Sequence, residues 1–178
     1  MIVGKLVFLR PILSSDYPHL VRWGSDSEIQ ALTDGALPEE EEECALWHQR
    51  FLKDRYGKVW AVADAGTGEI IGDIELSQIA WRSGQAELRV CIGEKGHWGR
   101  GFGTDAVVTL LGHAFGKLEL REVYLRVYVN NHRAIRSYEK CGFRRAGILK
   151  RSGGRPGWND ILLMTVNAEA FLGSRRAG

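Results

Sequence analysis

Four glycines fall within the stretch Glu94-Lys95-Gly96-His97-Trp98-Gly99-Arg100-Gly101-Phe102-Gly103-Thr104-Asp105. A glycine-rich turn that feeds a helix lets several backbone N–H groups converge on one spot, and the helix dipole adds positive potential there. The ligand that such a spot selects is a phosphate. A dinucleotide fingerprint would need a third glycine where Thr104 stands, and a P-loop would need a lysine after Gly101 or Gly103. What remains is Gly99-Arg100-Gly101-Phe102-Gly103 opening a helix, with a purely structural turn as the alternative.

The flanking residues supply the elements that must hold such a loop. Leu88, Val90 and Ile92 alternate with Glu87, Arg89 and Cys91, which predicts a strand from Ala86 to Gly93 with two distinct faces. After the loop, Ala106, Val107, Leu110, Leu111, Ala114, Phe115 and Leu118 recur at helical spacing.

A second pattern lies further on, Asn131-His132-Arg133-Ala134-Ile135-Arg136-Ser137-Tyr138-Glu139-Lys140-Cys141-Gly142-Phe143. With the glycine loop, Leu6 to Pro11 at the front and Gly157-Trp158-Asn159-Asp160 near the end, it resembles the GNAT superfamily of acyl-CoA N-acyltransferases over almost the whole chain. Within that superfamily it is most similar to the ribosomal-protein-alanine acetyltransferase branch. Trp98 stands where many members have Gln or Arg, and Gly93 to His97 is one residue longer than the commonest spacing.

The resemblance implies a mixed α/β fold: a mostly antiparallel sheet, flanked by helices, with a parallel strand pair that splays where the pantetheine arm inserts. It implies transfer of an acetyl group from acetyl-CoA to a primary amine by direct attack on the thioester; a longer acyl group such as succinyl, or a catalytically silent acyl-CoA sensor, stays open. Val90, Cys91, Ile92, Trp98, Gly99, Arg100, Gly101, Phe102, Gly103, Thr104, Asn131 and Arg133 are placed against the cofactor, with Lys95 a further partner for its phosphates. Asn131 could equally be a helix cap.

Two further residues take chemical roles from the resemblance. A substrate ammonium is mostly protonated at neutral pH, so a base acting through water helps release the nucleophile. Glu87 is the candidate; the plainer reading pairs it with Arg89 or an adjacent strand. Tyr138 is placed as the acid that protonates the departing thiolate, against the alternative of a core tyrosine. A tyrosine near pKa 10 protonating an alkyl thiolate near 8.5 works uphill by about 2 kcal/mol.

Composition narrows the classes. A chain of 178 residues with 44% hydrophobic content fits one domain, 1–178, with a sizeable core. A net charge of +2, from 24 basic and 22 acidic side chains mixed along the chain, gives no nucleic-acid signature. No window approaches a membrane span, and no histidine pair has metal-ligand spacing. Cys44, Cys91 and Cys141 suit a reducing cytoplasm. The expected partners are a small-molecule or peptide amine and, compatibly, a second copy in a homodimer.

The remaining elements follow from local signals. Lys5 to Arg10 is expected as an edge strand stopped by Pro11, then a short helix through Leu20 and Trp23 ending at Gly24. Pro38 suits a first helical position ahead of the glutamates 39 to 43, whose helix buries Cys44, Trp47 and Phe51. Strands are expected at 59–65, 69–79, 122–129, 143–149 and 160–166, and a helix from about Asn131 to Lys140. The acceptor should be held by the variable segments 34–43 and 150–159.

Overall fold

In the computed structural model, residues 1–33, 35–151 and 160–176 are described. Eight strands form one sheet: β1 (Ile2–Val3), β2 (Val7–Arg10), β3 (Lys58–Asp64), β4 (Ile70–Ala80), β5 (Gln85–Ile92), β6 (Glu122–Tyr128), β7 (Arg144–Leu149) and β8 (Ile161–Asn167). Their order across the sheet is β1-β2-β3-β4-β5-β6-β8-β7. Every pairing is antiparallel except β5 with β6.

Alternation along the strands sends apolar side chains to both faces, and each face is covered. On one side lies the long helix α4 (Phe102–Gly116). Its Val107, Leu110, Leu111 and Ala114 are fully buried in a cluster with Val7, Leu9, Ala86 and Leu88 of the sheet. The other side is covered by α1 (Tyr17–Gly24), α2 (Ser27–Thr33) and α3 (Glu41–Lys53), which pack Leu20, Trp23, Ile29, Cys44 and Trp47 around Ala61, Ile70 and Cys91. At roughly 1.5–3 kcal/mol per large apolar side chain, these two clusters dominate the favourable side of folding. α5 (His132–Lys140) and the C-terminal α6 (Ala168–Arg176) complete the chain.

The connection from β5 through α4 to β6 makes the parallel pair, because a crossover of that length is what parallel neighbours require. The pairing is short: it runs from Gln85↔Glu122 to Glu87↔Tyr124, whereas β5 continues to Ile92 and β6 to Tyr128. Beyond Glu87 the two strands splay, as the resemblance implied.

Several local expectations are corrected. β2 is not at the sheet edge, because Ile2 and Val3 pair with Leu9 and Phe8 outside it. Pro38 lies ahead of the α3 cap, which is Glu40. α4 ends at Gly116 and not at Leu118. α6 was not anticipated; its first turn is capped by Asn167, which accepts the Ala170 N–H at 2.8 Å. The segment 152–159, with the Gly157-Trp158-Asn159 part of the family pattern, lies outside the described residues.

The front of the chain is fastened to α4 by one side chain. Asp105 in the first helical turn accepts the backbone N–H groups of Lys5, Leu6 and Val7 on a single oxygen, at 2.9, 2.7 and 3.1 Å. A carboxylate here also complements the positive end of the helix.

Candidate functional site

A cavity of about 740 Å³ opens where β5 and β6 part. Every residue of β5 from Glu87 to Ile92 lines it. Side chains of a strand alternate between faces, so a cavity can meet six in a row only along the strand's edge. It therefore passes through the sheet, with the glycine loop and α5 at one end and α2 at the other.

The donor end is built largely from backbone. Gly93 donates its N–H to the Ile71 carbonyl at 2.9 Å, which makes Gly72↔Ile92 a non-hydrogen-bonded pair in the ladder between β4 and β5. Backbone direction alternates, so Arg89 and Cys91 use their amides on β4, while Val90 and Ile92 turn theirs to the gap. Of the expected trio Val90, Cys91 and Ile92, all line the cavity, yet only the first and last present a backbone edge to it.

Gly101 caps α4 in the left-handed region, at φ 90°, a conformation that favours glycine. Gly99, Gly101, Gly103 and Thr104 line the cavity, and the Thr104 hydroxyl meets that of Ser137 at 2.7 Å, joining α4 to α5. Trp98 donates its indole N–H to the Ile92 carbonyl at 2.6 Å, and the Arg133 guanidinium stacks on its ring at 4.0 Å. Asn131 does cap α5, accepting the Ala134 N–H at 3.2 Å, and lines the cavity as well. Phe102 turns its side chain into the core, and Arg100 lies over that ring while donating to the Gly96 carbonyl at 3.2 Å. Lys95 is engaged by Asp26 and Glu28 at 2.7 and 2.9 Å, which raises its proton affinity and ties it to the α1–α2 turn.

Tyr138 sits on the inner stripe of α5, edge-on to Phe143 with ring centroids 5.9 Å apart. It lines the cavity, and its hydroxyl has no hydrogen-bond partner among the described residues. Burial pushes the phenol well above its ordinary value. That same environment also pushes the Cys91 thiol up to about 12, again through burial.

At the acceptor end, charged side chains share one face. Glu87 accepts from Arg126 of β6 in a fork, Nε at 2.6 Å and Nη2 at 3.1 Å. The cross-strand partner is thus Arg126, and Arg89 turns the other way. Arg89 pairs with Asp73 and, at 2.9 Å, with Glu75, both on β4. Those carboxylates hold the guanidinium firmly protonated despite its burial. Ile29, Leu32, Thr33 and Ala36 form an apolar wall opposite.

Sequence reasoning missed Glu75, Gln78 and Arg126, all of which line the cavity. A partial signal was present for the first: Asp73 and Glu75 interrupt an apolar strand at alternate positions, although the register that sets them opposite Cys91 and Arg89 includes a shift between Ser77 and Ala80 that counting back from the Ser83-Gly84 turn does not give. Gln78 had none, since it depends on a break in the register at which it takes φ 51°. Among the described residues no group of three or more His, Cys, Asp or Glu is arranged to hold a metal, and no helix is long and apolar enough to cross a membrane.

Comparison with known proteins agrees with this geometry. Residues 7–144 match the Acetyltransferase (GNAT) domain family. The spermidine N(1)-acetyltransferase of Vibrio cholerae is 32% identical over 70% of this chain and 72% of its own. The human alpha/beta-tubulin N-acetyltransferase 9 is 27% identical over 80% of this chain and 74% of its own. A crystal structure of the Vibrio cholerae spermidine N-acetyltransferase with CoA and spermine superposes with a TM-score of 0.84 at 25% identity, covering 94% of this chain and 98% of that one. The expected ribosomal-protein-alanine branch finds no support among these relatives. The motifs that suggested it, the glycine loop and residues 131–143, lie at the donor end, which says little about the acceptor.

Proposed function

The chain belongs to the GNAT acetyltransferase family and is an acetyl-CoA-dependent N-acetyltransferase that acts on an amine; from that premise we propose that its acceptor is a small polycationic amine of the spermidine kind. One observation carries the reading: Glu75 and Glu87 face the same cavity beyond the splay, while Glu39, the first of the glutamates 39 to 43, accepts from Gln30 of α2, the helix that walls the cavity, at 2.8 Å. A run of carboxylates at a rim raises the local concentration of cations, and an inner pair gives the leading ammonium a place to stop.

In this reading the pantetheine arm lies in the gap, where the edge N–H groups of Val90 and Ile92 meet it as a neighbouring strand would. The loop amides from Gly99 to Gly103 and the α4 dipole hold the pyrophosphate, and Arg133, parked on Trp98, is within the same region. The Tyr138 hydroxyl gives its proton to the leaving sulfur. Glu87, expected as the base, has both oxygens in the Arg126 fork and serves here as an anion of the acceptor wall.

The test is thiol release from acetyl-CoA with a panel of amines. Spermidine and spermine should exceed a peptide N-terminus in kcat/KM by at least about tenfold, since loss of a paired charge contact is worth roughly that much. A peptide ranking first would move the acceptor class toward that of the tubulin enzyme. Acetyl-CoA binding without release on any amine would make the protein a sensor.

A further inference from the structure

Two glutamates face the reacting end of the cavity, and they differ in how their oxygens are used. Glu87 has both engaged, one by Arg126 Nε and the other by Nη2. Taking up a proton there means breaking a charge-assisted fork. Glu75 has only Oε2 engaged, by Arg89 Nη2 at 2.9 Å, and its Oε1 has no partner among the described residues. Its side chain is 12% exposed and lines the cavity, so the open oxygen can be reached only from there.

The support behind Glu75 is itself incomplete in an informative way. Asp73 Oδ1 and Arg89 Nη1 are buried with no hydrogen-bond partner. A buried donor and a buried acceptor on one ion pair beside a polar cavity form the kind of place that holds a bridging water. Arg89 thus stands between a buried carboxylate, Asp73, and a half-open one, Glu75. Asp73 holds the guanidinium in place, leaving Glu75 bound by one nitrogen only.

We propose that Glu75, not Glu87, is the base that takes the acceptor's proton, with Arg89 and Asp73 as the positioning residues that orient it. The inference rests on the acetyltransferase reading above. The Glu75 carboxylate takes one proton from the ammonium, directly or through one water, and the freed nitrogen attacks the thioester carbonyl carbon. The N–C bond forms and the C–S bond breaks. The sulfur takes the Tyr138 proton, and the second proton lost by the nitrogen restores it; the proton on Glu75 goes to solvent. The charged and titratable groups that face Glu75 are Asp73 on its own strand, Arg89 and Glu87 on β5, Arg126 on β6 and Tyr138 on α5, while α2 presents Ile29, Leu32 and Thr33 and the segment after it Ala36.

The deciding measurement is kcat/KM for spermidine against pH in the wild type, Glu75→Gln and Glu87→Gln, using whichever panel amine is turned over best if spermidine is not. For Glu75→Gln a loss of about 10² at pH 7 is expected, the usual contribution of a general base. It should shrink to less than about tenfold near pH 10, where roughly a quarter of a primary amine is already unprotonated without help, against less than about a thousandth at pH 7. Glu87→Gln should lose a constant, smaller factor across the same range. Glu75→Asp, which keeps the charge on Arg89 and shortens the reach, should bind acetyl-CoA normally and retain the shrinking loss; this separates the role from a misfolded cavity. A pH-independent loss in both Glu75 variants, or a loss that converges with pH in Glu87→Gln instead, overturns the assignment. A wild type that turns over no amine overturns the acetyltransferase reading as well, and is recognised before any variant is compared.

Discussion

The two ends of the cavity are made in different ways. The donor end consists mostly of backbone: the outward edge of β5, the loop at Gly99 to Gly103 and the first turn of α4. The acceptor end consists of side chains drawn from α2, β4, β5 and β6, with charges balanced in pairs, Glu87 with Arg126 and Glu75 with Arg89. A ligand read by backbone is recognised through conformation, which changes little when side chains change. A ligand read by paired side chains is recognised through a handful of identities. The same fold can therefore keep its donor and exchange its acceptor.

The largest effect that could break this contrast lies where the ends meet. Tyr138→Phe keeps the ring against Phe143 and removes only the hydroxyl, so kcat should fall by about 10² while acetyl-CoA affinity stays within about twofold. Because burial raises the phenol, wild-type kcat should show no descending limb from this residue up to about pH 10. Steady-state kinetics from pH 6 to 10 checks both; an unchanged kcat would reduce Tyr138 to a packing residue.

A middle-sized effect sharpens the donor side. Valine at Gly101 would face a φ of 90°, so its consequences would mix strain with blocked approach. Gly103 is the cleaner position, because its φ is ordinary and an added Cβ would meet Ile92 Cγ1 at 3.4 Å, a normal contact. Gly103→Ala should therefore fold as the wild type does and weaken acetyl-CoA by about tenfold, since the methyl stands where the ligand must approach the backbone. Calorimetric titration with an unaltered dissociation constant would move the phosphate elsewhere.

The smallest effect belongs to the acceptor rim. Replacing Glu39, Glu40 and Glu41 by Gln should raise KM for spermidine by about two- to threefold at low salt, leave kcat alone and flatten the dependence of KM on ionic strength. Helix-start carboxylates have a structural role of their own, so the melting temperature should fall slightly as well. Equal salt sensitivity in wild type and variant would show that the rim does not gather the substrate.

The same contrast explains what could be read in advance. Alternation at 87–92, the glycines and the helical period of 106–115 are local signals, and they located β5, the loop and α4, whereas the splay was implied only by the family resemblance. Asn131 and Tyr138 were placed by a motif within one helix. The acceptor wall is non-local. Glu75 meets Arg89 only through the β4–β5 register, Arg126 meets Glu87 only because the parallel pair starts where it does, and α2 reaches the cavity through tertiary packing. β1 escaped notice because two residues are too few to show a period, and the branch of the family was misread because its two longest motifs, the glycine loop and residues 131–143, say little about the acceptor.

One further consequence follows from Asp105. Three successive amides at Lys5, Leu6 and Val7 end on one of its oxygens, and Asp105 stands four residues past Gly101, in the first turn of α4. The segment Lys5 to Val7 thus acts as a strut for the first turn of α4 and the glycine loop before it, the loop proposed to hold the pyrophosphate. A protein made with its first residues trimmed, or with an affinity tag pulling on them, would carry an intact set of site residues on a loosened hinge, and its measured affinity for acetyl-CoA would describe the cloning strategy as much as the enzyme.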